Sequence, residues 1–365
     1  MTTRSHPTPR IWLVIGDKLG DNAQAIRVAD SLGLPYETRR LLPRARYVQG
    51  KPRFRVGLDH LDMTVSDPLK PPWPDLVITV GRRHSMAALW IKAQNPATRI
   101  VLLGRARRWL ERFDLVIVPP QYRLPDLPNV MRLSLPLLRV DKNAVARASA
   151  RWSPRFAPLE KPLIGVLIGG PTRPYRFDDA VTAALMEGCI DVQKRYGGTL
   201  CISTSRRTPA AVVAALRERL PERALLYEWS ADATDNPYLA LLGLADRFVV
   251  TGDSVSMMIE VADCGKPLAI FDLPRDIRGR LWQHVLLRLH GGNKHRPSGA
   301  INRWLGRLLY ATGLAGFARD LGEVQRSLIA TGFAVRLGEP FSSVAQTLPD
   351  ELDAVKRRIL SLLNT

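Results

Sequence analysis

The 365-residue sequence contains few cysteines, and their spacing excludes two classes of protein. The three present are Cys189, Cys201 and Cys264, and none forms a Cys-x-x-Cys pair. An odd number without paired spacing argues against a disulfide framework and against a cysteine zinc site. We therefore expect a protein of a reducing compartment, the cytoplasm.

Long apolar segments are also missing. The polar N-terminus, MTTRSHPTPR, leads directly into a short apolar strand and lacks the longer apolar core of a secretion signal. No uninterrupted apolar stretch approaches the roughly 18 residues of a membrane-spanning helix. We therefore expect any contact with lipid to be peripheral, at the inner face of the membrane.

Several ligand-binding motifs are absent. There is no Gly-x-Gly-x-x-Gly, and the Gly169-Gly170 pair is not followed by the Gly-Lys-Ser/Thr of a P-loop, which argues against dehydrogenases and P-loop kinases. No Asp-x-Asp stands at the end of a predicted strand. Asp178 and Asp179 open a predicted helix, where the helix dipole favours carboxylates. We predict no metal and no other cofactor.

Acidic residues are too few to balance the basic ones: 34 Asp and Glu face 53 Lys and Arg, a formal net charge of +19. Such a charge attracts nucleic acid, an anionic membrane or a phosphorylated substrate by the same Coulomb interaction. Solvated, arginine-rich faces explain it equally well, since the basic residues form no long run. Nucleic acid is the least favoured partner, because no aromatic stacking platforms surround the basic clusters.

The length and the ordinary composition, 46% hydrophobic and 24% charged, predict two globular domains. Short apolar runs alternate with helical patterns, which is typical of βα units on parallel sheets. The predicted strands are 10–15, 76–80, 100–103 and 115–118 in the first half, and 163–168, 199–203, 224–228, 246–250 and 267–271 in the second. Ligands of such sheets bind at the carboxyl ends of the strands.

A polar connector over residues 142–161 separates the two series of strands. We predict an N-terminal Rossmann-like domain at 1–150 and a C-terminal one at 158–340. The amphipathic segment 349–365 predicts a terminal helix with acidic residues in its first turn. The sequence favours two positions for this helix equally: it packs either on the first domain or on the second.

In the second domain, the strand 246–250 runs into Thr-Gly-Asp-Ser-Val-Ser and then a helix. Asp253 or Ser254 is a good N-cap, so the amides near Ser256 form a candidate anion site. Glu260, about one turn later, can reach a ribose hydroxyl. The alternative is ordinary helix capping with a surface glutamate.

Two further loops of the same domain carry polar residues at strand ends. One contains Gly169 and Gly170, which allow close backbone approach, and Arg173, which supplies fixed charge. The other contains Ser205 and Arg206 in the hydroxyl-rich segment 203–209. We expect the three loops to converge on one edge of the sheet as a donor-binding site.

In the first domain, Asp17 and Asp21 follow the first strand and are candidate general bases. In the loop after a later strand, Arg82 can clamp phosphates and His84 can move protons. A solvated loop explains the two carboxylates equally well, and an isolated loop histidine is more often structural.

Five segments together resemble the mitochondrial fission (elongated-mitochondria) family of plants and its bacterial homologues: GDKLGDNAQA at 16–25, VLIGGPTRPYRF at 166–177, TSRRTP at 204–209, NPY at 236–238 and VTGDSVSMMIEVADCGKP at 250–267. The resemblance covers nearly the whole chain. It implies an α/β protein of GT-B-like fold, with two Rossmann-like domains whose parallel sheets face a cleft. The C-terminal domain would hold a nucleotide sugar.

The resemblance also implies that Ser254, Ser256 and Glu260 bind the donor, as in the related enzyme that adds N-acetylglucosamine to the lipid-linked peptidoglycan precursor. Many relatives carry Gly-His-x-Asn-Gln where this chain has Gly-Asp-Asn-Ala-Gln at 20–24. Either Asp21 replaces that histidine as the base, or the loop, with Asn22 and Gln24, only binds the acceptor.

The expected function is therefore a metal-independent glycosyltransferase that uses a nucleotide-diphosphate donor and an envelope glycolipid or lipopolysaccharide-core acceptor. Ser254, Ser256, Arg173 and Arg206 would stabilise the departing diphosphate. The alternative is a non-enzymatic, membrane-associated adaptor, as the plant members suggest.

Overall fold

A computed structural model describes most of the chain, which divides into two compact units. The described residues are 8–17, 19–47, 55–106, 109–172, 174–231, 235–276, 292–293, 296–297, 308, 319–342 and 347–364. Unit 1 comprises those within Met1–Leu137, Leu286–Arg319 and Pro349–Thr365, and unit 2 those within Leu138–Val285 and Asp320–Leu348.

Unit 1 is a parallel sheet of six strands with helices on both faces. Its strands are β1 (Ile11–Ile15), β2 (Tyr36–Arg40), β3 (Leu76–Val80), β4 (Arg99–Leu103), β5 (Leu115–Val118) and β6 (Val130–Arg132). Its helices are α1 (Leu19–Ser31), α2 (Gly81–Gln94) and the terminal helix, numbered α9 below (Leu352–Leu363). The strand order is β2-β1-β3-β4-β5-β6, and all pairs are parallel.

The apolar sequence of β1 is explained by cores on both faces of this sheet. Trp12 and Val14 belong to the core under α2, whereas Ile11, Leu13 and Ile15 belong to the opposite core. Successive strand side chains point to opposite faces, so a strand covered on both sides must be apolar throughout. Helix α9 buries Val355 and Ile359 in the second of these cores, beside residues of α1.

Unit 2 has a second parallel sheet of six strands. Its elements are α3 (Lys142–Phe156), β7 (Leu163–Leu167), α4 (Asp179–Tyr196), β8 (Thr199–Ser203), α5 (Ala210–Glu218), β9 (Ala224–Tyr227), α6 (Tyr238–Leu244), β10 (Arg247–Thr251), α7 (Val255–Asp263), β11 (Leu268–Phe271), α8 (Gly322–Ala330) and β14 (Val335–Arg336). The two-residue strands β12 (Gly292–Asn293) and β13 (Arg296–Pro297), which belong to unit 1, form a separate antiparallel pair. The strand order is β14-β11-β10-β7-β8-β9, again parallel.

The predicted α/β fold, with a Rossmann-like parallel sheet, is therefore confirmed in each unit. All nine predicted strands are present to within one or two residues. Within the described ranges, no helix has the length and apolar character needed to cross a membrane.

Both sheets have a topological switch point beside their first strand. In unit 1 the chain places β2 on one side of β1 and β3 on the other; in unit 2 it places β8 on one side of β7 and later β10 on the other. Ligands of open α/β sheets bind outside the carboxyl ends of the strands at such a point. A ligand is consequently expected at the loops after β1 and β3 and at those after β7 and β10.

Candidate functional site

The loops at the switch point of unit 2 are joined by the carboxylate of Asp253, whose side chain is fully buried. Its Oδ2 accepts a hydrogen bond from the Gly170 amide at 2.9 Å, and its Oδ1 accepts one from the Thr251 hydroxyl at 2.9 Å. Arg207 Nη1 lies 3.2 Å from Oδ2. Burial raises the pKa of Asp253, while the Gly170 amide and the Arg207 charge oppose that rise.

Two glycines permit this close approach. A Cβ on Gly169 would lie 2.5 Å from the Asp253 carboxylate, and one on Gly170 would lie 2.0 Å from the backbone oxygen of Arg207. The space expected for a ligand at these glycines is therefore filled by the neighbouring loops. The glycines let the three loops pack against one another.

The loop after β8 is held by its hydroxyl groups. The Ser205 hydroxyl donates to the Gly169 carbonyl at 3.1 Å, and the Thr208 hydroxyl donates to the same oxygen at 2.6 Å. Arg207 donates to the Thr172 hydroxyl as well as contacting Asp253. Arg206 is exposed and makes no hydrogen bond or ion pair with any described residue.

The two adjacent arginines of this loop differ in their contacts. Arg207 contacts Asp253 and Thr172 in the neighbouring loops, whereas Arg206 has no charged partner among the described residues. The predicted convergence of the loops after β7, β8 and β10 is what the geometry shows, although Arg173 lies outside the described residues.

The first turn of α7 retains unused hydrogen-bond donors. Ser254 is its N-cap, yet its side chain makes no capping bond, and its hydroxyl has no partner among the described residues although Ser254 is only 2% exposed. Ser256, in the first turn, is exposed. Because Asp253 points across the loops instead of capping, the amides at this helix start have no carboxylate partner in the described part of the chain and carry the positive end of the dipole.

Glu260 lies one turn further along α7 and is paired with Tyr238, the first residue of α6. The Tyr238 hydroxyl donates to Glu260 Oε2 in a short hydrogen bond. Burial raises the pKa of both groups, that of Tyr238 well above its usual value; the hydrogen bond opposes the rise at Glu260. The Asn236-Pro237-Tyr238 segment, one of the five that carry the family resemblance, thus contacts a predicted donor residue directly.

Helix α8 also contributes a contact to these loops, and no sequence pattern predicts that contact. Gln325 is buried, and its Nε2 donates to the Gly252 carbonyl at 2.7 Å. This bond fixes the turn between β10 and α7 from behind. A glutamine 73 residues away in sequence could not have been assigned to this turn from spacing alone.

In unit 1, the loops after β1 and β3 are fixed by Asn22 and His84, which are both buried. Asn22 donates to the Gly16 carbonyl at 2.8 Å and accepts from the Gly16 amide at 3.2 Å. The two ring nitrogens of His84 lie 3.0 and 3.1 Å from the carbonyls of Val80 and Leu41. Burial lowers the pKa of His84. Both side chains therefore bind backbone groups of unit 1 in this structure.

The other predicted residues of unit 1 are more accessible. Asp17 is exposed, and its Oδ1 lies 3.6 Å from Arg83 Nη1. Asp21 stands in the first turn of α1 and is half-buried, as is Arg82. Gln24 makes a long bond of 3.5 Å to the Gly20 carbonyl. The two candidate bases thus lie at the switch point of this sheet, after β1.

In the part of the chain that the structure describes, no group of three or more His, Cys, Asp or Glu side chains has an arrangement that could hold a metal ion. The fixed positive charges beside the unit 2 loops are those of arginines and of the start of α7.

The folds and loops define the chain as a two-unit Rossmann-like α/β protein with a preassembled loop cluster at a switch point. Residues 20–298 match the model of the family described as mitochondrial fission ELM1, and the chain belongs to this family. The resemblance proposed from the sequence is confirmed.

Three similar proteins illustrate the relationship. An uncharacterized protein of Rickettsia prowazekii is 25% identical over 298 residues, 72% of this chain and 83% of the relative. Mitochondrial fission protein ELM1 of Arabidopsis thaliana is 29% identical over 220 residues, 54% of this chain and 51% of the relative. A solved UDP-GlcNAc 2-epimerase of Methanocaldococcus jannaschii is similar at a TM-score of 0.48 and 8% identity, over 98% of this chain and 100% of that one.

Proposed function

We propose that this protein is a metal-independent glycosyltransferase that moves a sugar from a nucleotide-diphosphate donor to an envelope glycolipid or lipopolysaccharide-core acceptor. The observation that carries the proposal is the loop cluster of unit 2. Asp253 and the hydroxyl groups of the loops satisfy one another, while the start of α7, the Ser254 hydroxyl and Arg206 remain available. Such an arrangement suits an anion that is bound without rearrangement of the loops.

The spacing along α7 fits a nucleotide. Ser256 and Glu260 are four residues apart and share a helix face, which separates them by about 6 Å along the axis. We assign the diphosphate to Ser254, Ser256 and the amides of the first turn, and the ribose to Glu260. Arg206 and Arg173 would neutralise the departing diphosphate, with Gly169, Gly170 and Ser205 shaping the wall beside it.

For the acceptor hydroxyl we propose Asp21 or Asp17 as the base. The family resemblance places Asp21 where many relatives carry a histidine, and Asp21 is half-buried in the first turn of α1. The net charge of +19 supports an anionic acceptor and peripheral contact with the inner face of an anionic membrane. Asn22 and His84 would position this loop, and Arg82 and Gln24 would contact the acceptor.

The second candidate function is a non-enzymatic adaptor that recruits a partner to a membrane. It is favoured by the 29% identity to a protein named for mitochondrial fission. An adaptor needs the fold and a surface, but it needs neither a base nor turnover of a nucleotide sugar.

Release of nucleoside diphosphate distinguishes the two functions. The protein would be incubated with a panel of UDP- and GDP-sugars and an extract of bacterial envelope lipids, and the products followed by mass spectrometry. We expect lipid-dependent release from one donor, lowered about 10²- to 10⁴-fold by Asp21→Asn or by Asp17→Asn, whichever residue is the base.

The matched control is Asp30→Asn, at the other end of α1, where the side chain accepts from Tyr36. This variant should keep the wild-type rate. If no donor is consumed, or if neither Asp21→Asn nor Asp17→Asn slows the release, the transferase with these bases is rejected; in the first case the adaptor is favoured.

A further inference from the structure

The Glu260 carboxylate is paired on one oxygen only. Its Oε2 accepts from Tyr238, and no cation among the described residues forms an ion pair with it. Its Oε1 has no hydrogen-bond partner in the described part of the chain, and Glu260 is half-buried rather than fully buried. One carboxylate oxygen is therefore held by Tyr238, and the other lacks a partner among the described residues.

Tyr238 is fixed where it makes this contact. It begins α6 after Pro237, which is buried at the N-cap, and its amide donates to Asn236 Oδ1 at 2.9 Å. The helix is anchored by buried Ala240 and Leu241. The phenol therefore reaches Glu260 from a rigid element 22 residues away in sequence.

The charged groups near Tyr238 and Glu260 interact with other residues. Asp263, on the same helix, raises the pKa of Glu260, and its own carboxylate lies 3.1 Å from Arg139 Nε. Lys266 Nζ donates to the Gly243 carbonyl at 3.2 Å. The Cys264 thiol, which lies near Tyr238, has a pKa raised to about 11 by burial and is neutral at physiological pH.

We propose that Tyr238 is a positioning residue, which holds Glu260 so that its free oxygen accepts hydrogen bonds from the vicinal ribose hydroxyls and makes the site selective for ribonucleotides. This inference rests on the proposed function. A carboxylate that lacks a cation and keeps one unpaired oxygen is suited to hydroxyl donors, and hydrogen bonds to a charged acceptor are stronger than neutral ones.

The phenol also controls the charge of Glu260. Burial raises the pKa of Glu260, and the hydrogen bond from Tyr238 lowers it by favouring the ionised form. Removing the hydroxyl therefore raises the Glu260 pKa further. Since ribose hydroxyls are accepted best by the ionised form, the loss of affinity at acid pH should begin at a higher pH in Tyr238→Phe.

The test compares the full-length wild type with Tyr238→Phe and Glu260→Gln by isothermal titration from pH 5 to 8. The probes are UDP and 2′,3′-dideoxy-UDP, with the corresponding GDP pair as an alternative base. We expect the wild type to prefer the ribonucleotide by about tenfold or more, and Glu260→Gln to lose this preference. Tyr238→Phe should keep only a few-fold preference and begin to lose affinity at a higher pH.

The matched control is Tyr36→Phe, which removes a tyrosine–carboxylate bond to Asp30 in unit 1 and should behave as the wild type. If UDP or GDP binds but Tyr238→Phe keeps both the preference and the pH dependence, the inference is overturned while the proposed function stands. A lower preference without a change in pH dependence indicates packing only and also overturns it. Failure of the wild type to bind any probe overturns both.

Discussion

Gly170→Ala should destabilise unit 2 by about 3 kcal/mol and abolish nucleotide binding. The added Cβ would lie 2.0 Å from the backbone oxygen of Arg207, and a backbone atom cannot move aside as the end of a flexible side chain can. Overpacking of this kind typically costs about 1–3 kcal/mol or more. The loops after β7 and β8 would separate, so the bond from the Gly170 amide to Asp253 should also be lost.

Chemical denaturation gives the free energy of unfolding, and Gly20→Ala is the matched control. Gly20 lies in α1, and a Cβ there would meet nothing within 4 Å. Alanine is the better helix former, so this variant should be as stable as the wild type or up to about 1 kcal/mol more stable. Equal stability of the two variants would contradict the packing described for the loops.

Asp253→Ala should lower the free energy of unfolding by about 2–4 kcal/mol. It leaves the buried Gly170 amide and the Thr251 hydroxyl without their acceptor, at a cost of about 1–3 kcal/mol for each unsatisfied group. The contact with Arg207 adds less, because that side chain is 44% exposed. The released loops should also bind nucleotide at least about tenfold more weakly.

Asp191→Ala is the control for the loss of a carboxylate. Asp191 is exposed on α4 and lies 3.4 Å from Lys194, so its removal should change stability by about 0.5 kcal/mol or less. Unfolding of both variants in urea gives the comparison. If Asp253→Ala is as stable as Asp191→Ala, Asp253 does not hold the loops together.

The strands that the sequence predicted are those in which apolar residues predominate. β2, with the sequence YETRR, was not predicted because it is an edge strand with more than half its residues exposed, and it therefore lacks an apolar run. β6 has three residues and β14 has two, which is too short for a periodic pattern. Burial on both faces is what makes a parallel strand visible in sequence.

The candidate site was predictable at the level of loops but not of individual contacts. Parallel strands place their carboxyl ends on one edge, so the convergence of the unit 2 loops followed from the strand pattern. The choice between Asp253 and Ser254 as N-cap depends on the local backbone path, and so does the contact of Arg207 with Asp253. The pairing of Glu260 with Tyr238 depends on how α6 packs, which no local pattern reports.

The central claim is that the loops at the carboxyl edge of the unit 2 sheet bind the nucleotide of a sugar donor. Its most direct test is the melting temperature of the wild type, measured with a panel of nucleotides and nucleotide sugars. A ligand that binds only the native state at about 100 times its Kd stabilises it by about 2.7 kcal/mol, which raises the midpoint by several degrees. We predict such a rise with UDP or GDP and their sugars, and its loss in Gly170→Ala but not in Gly20→Ala. No rise with any nucleotide at millimolar concentration would contradict the claim.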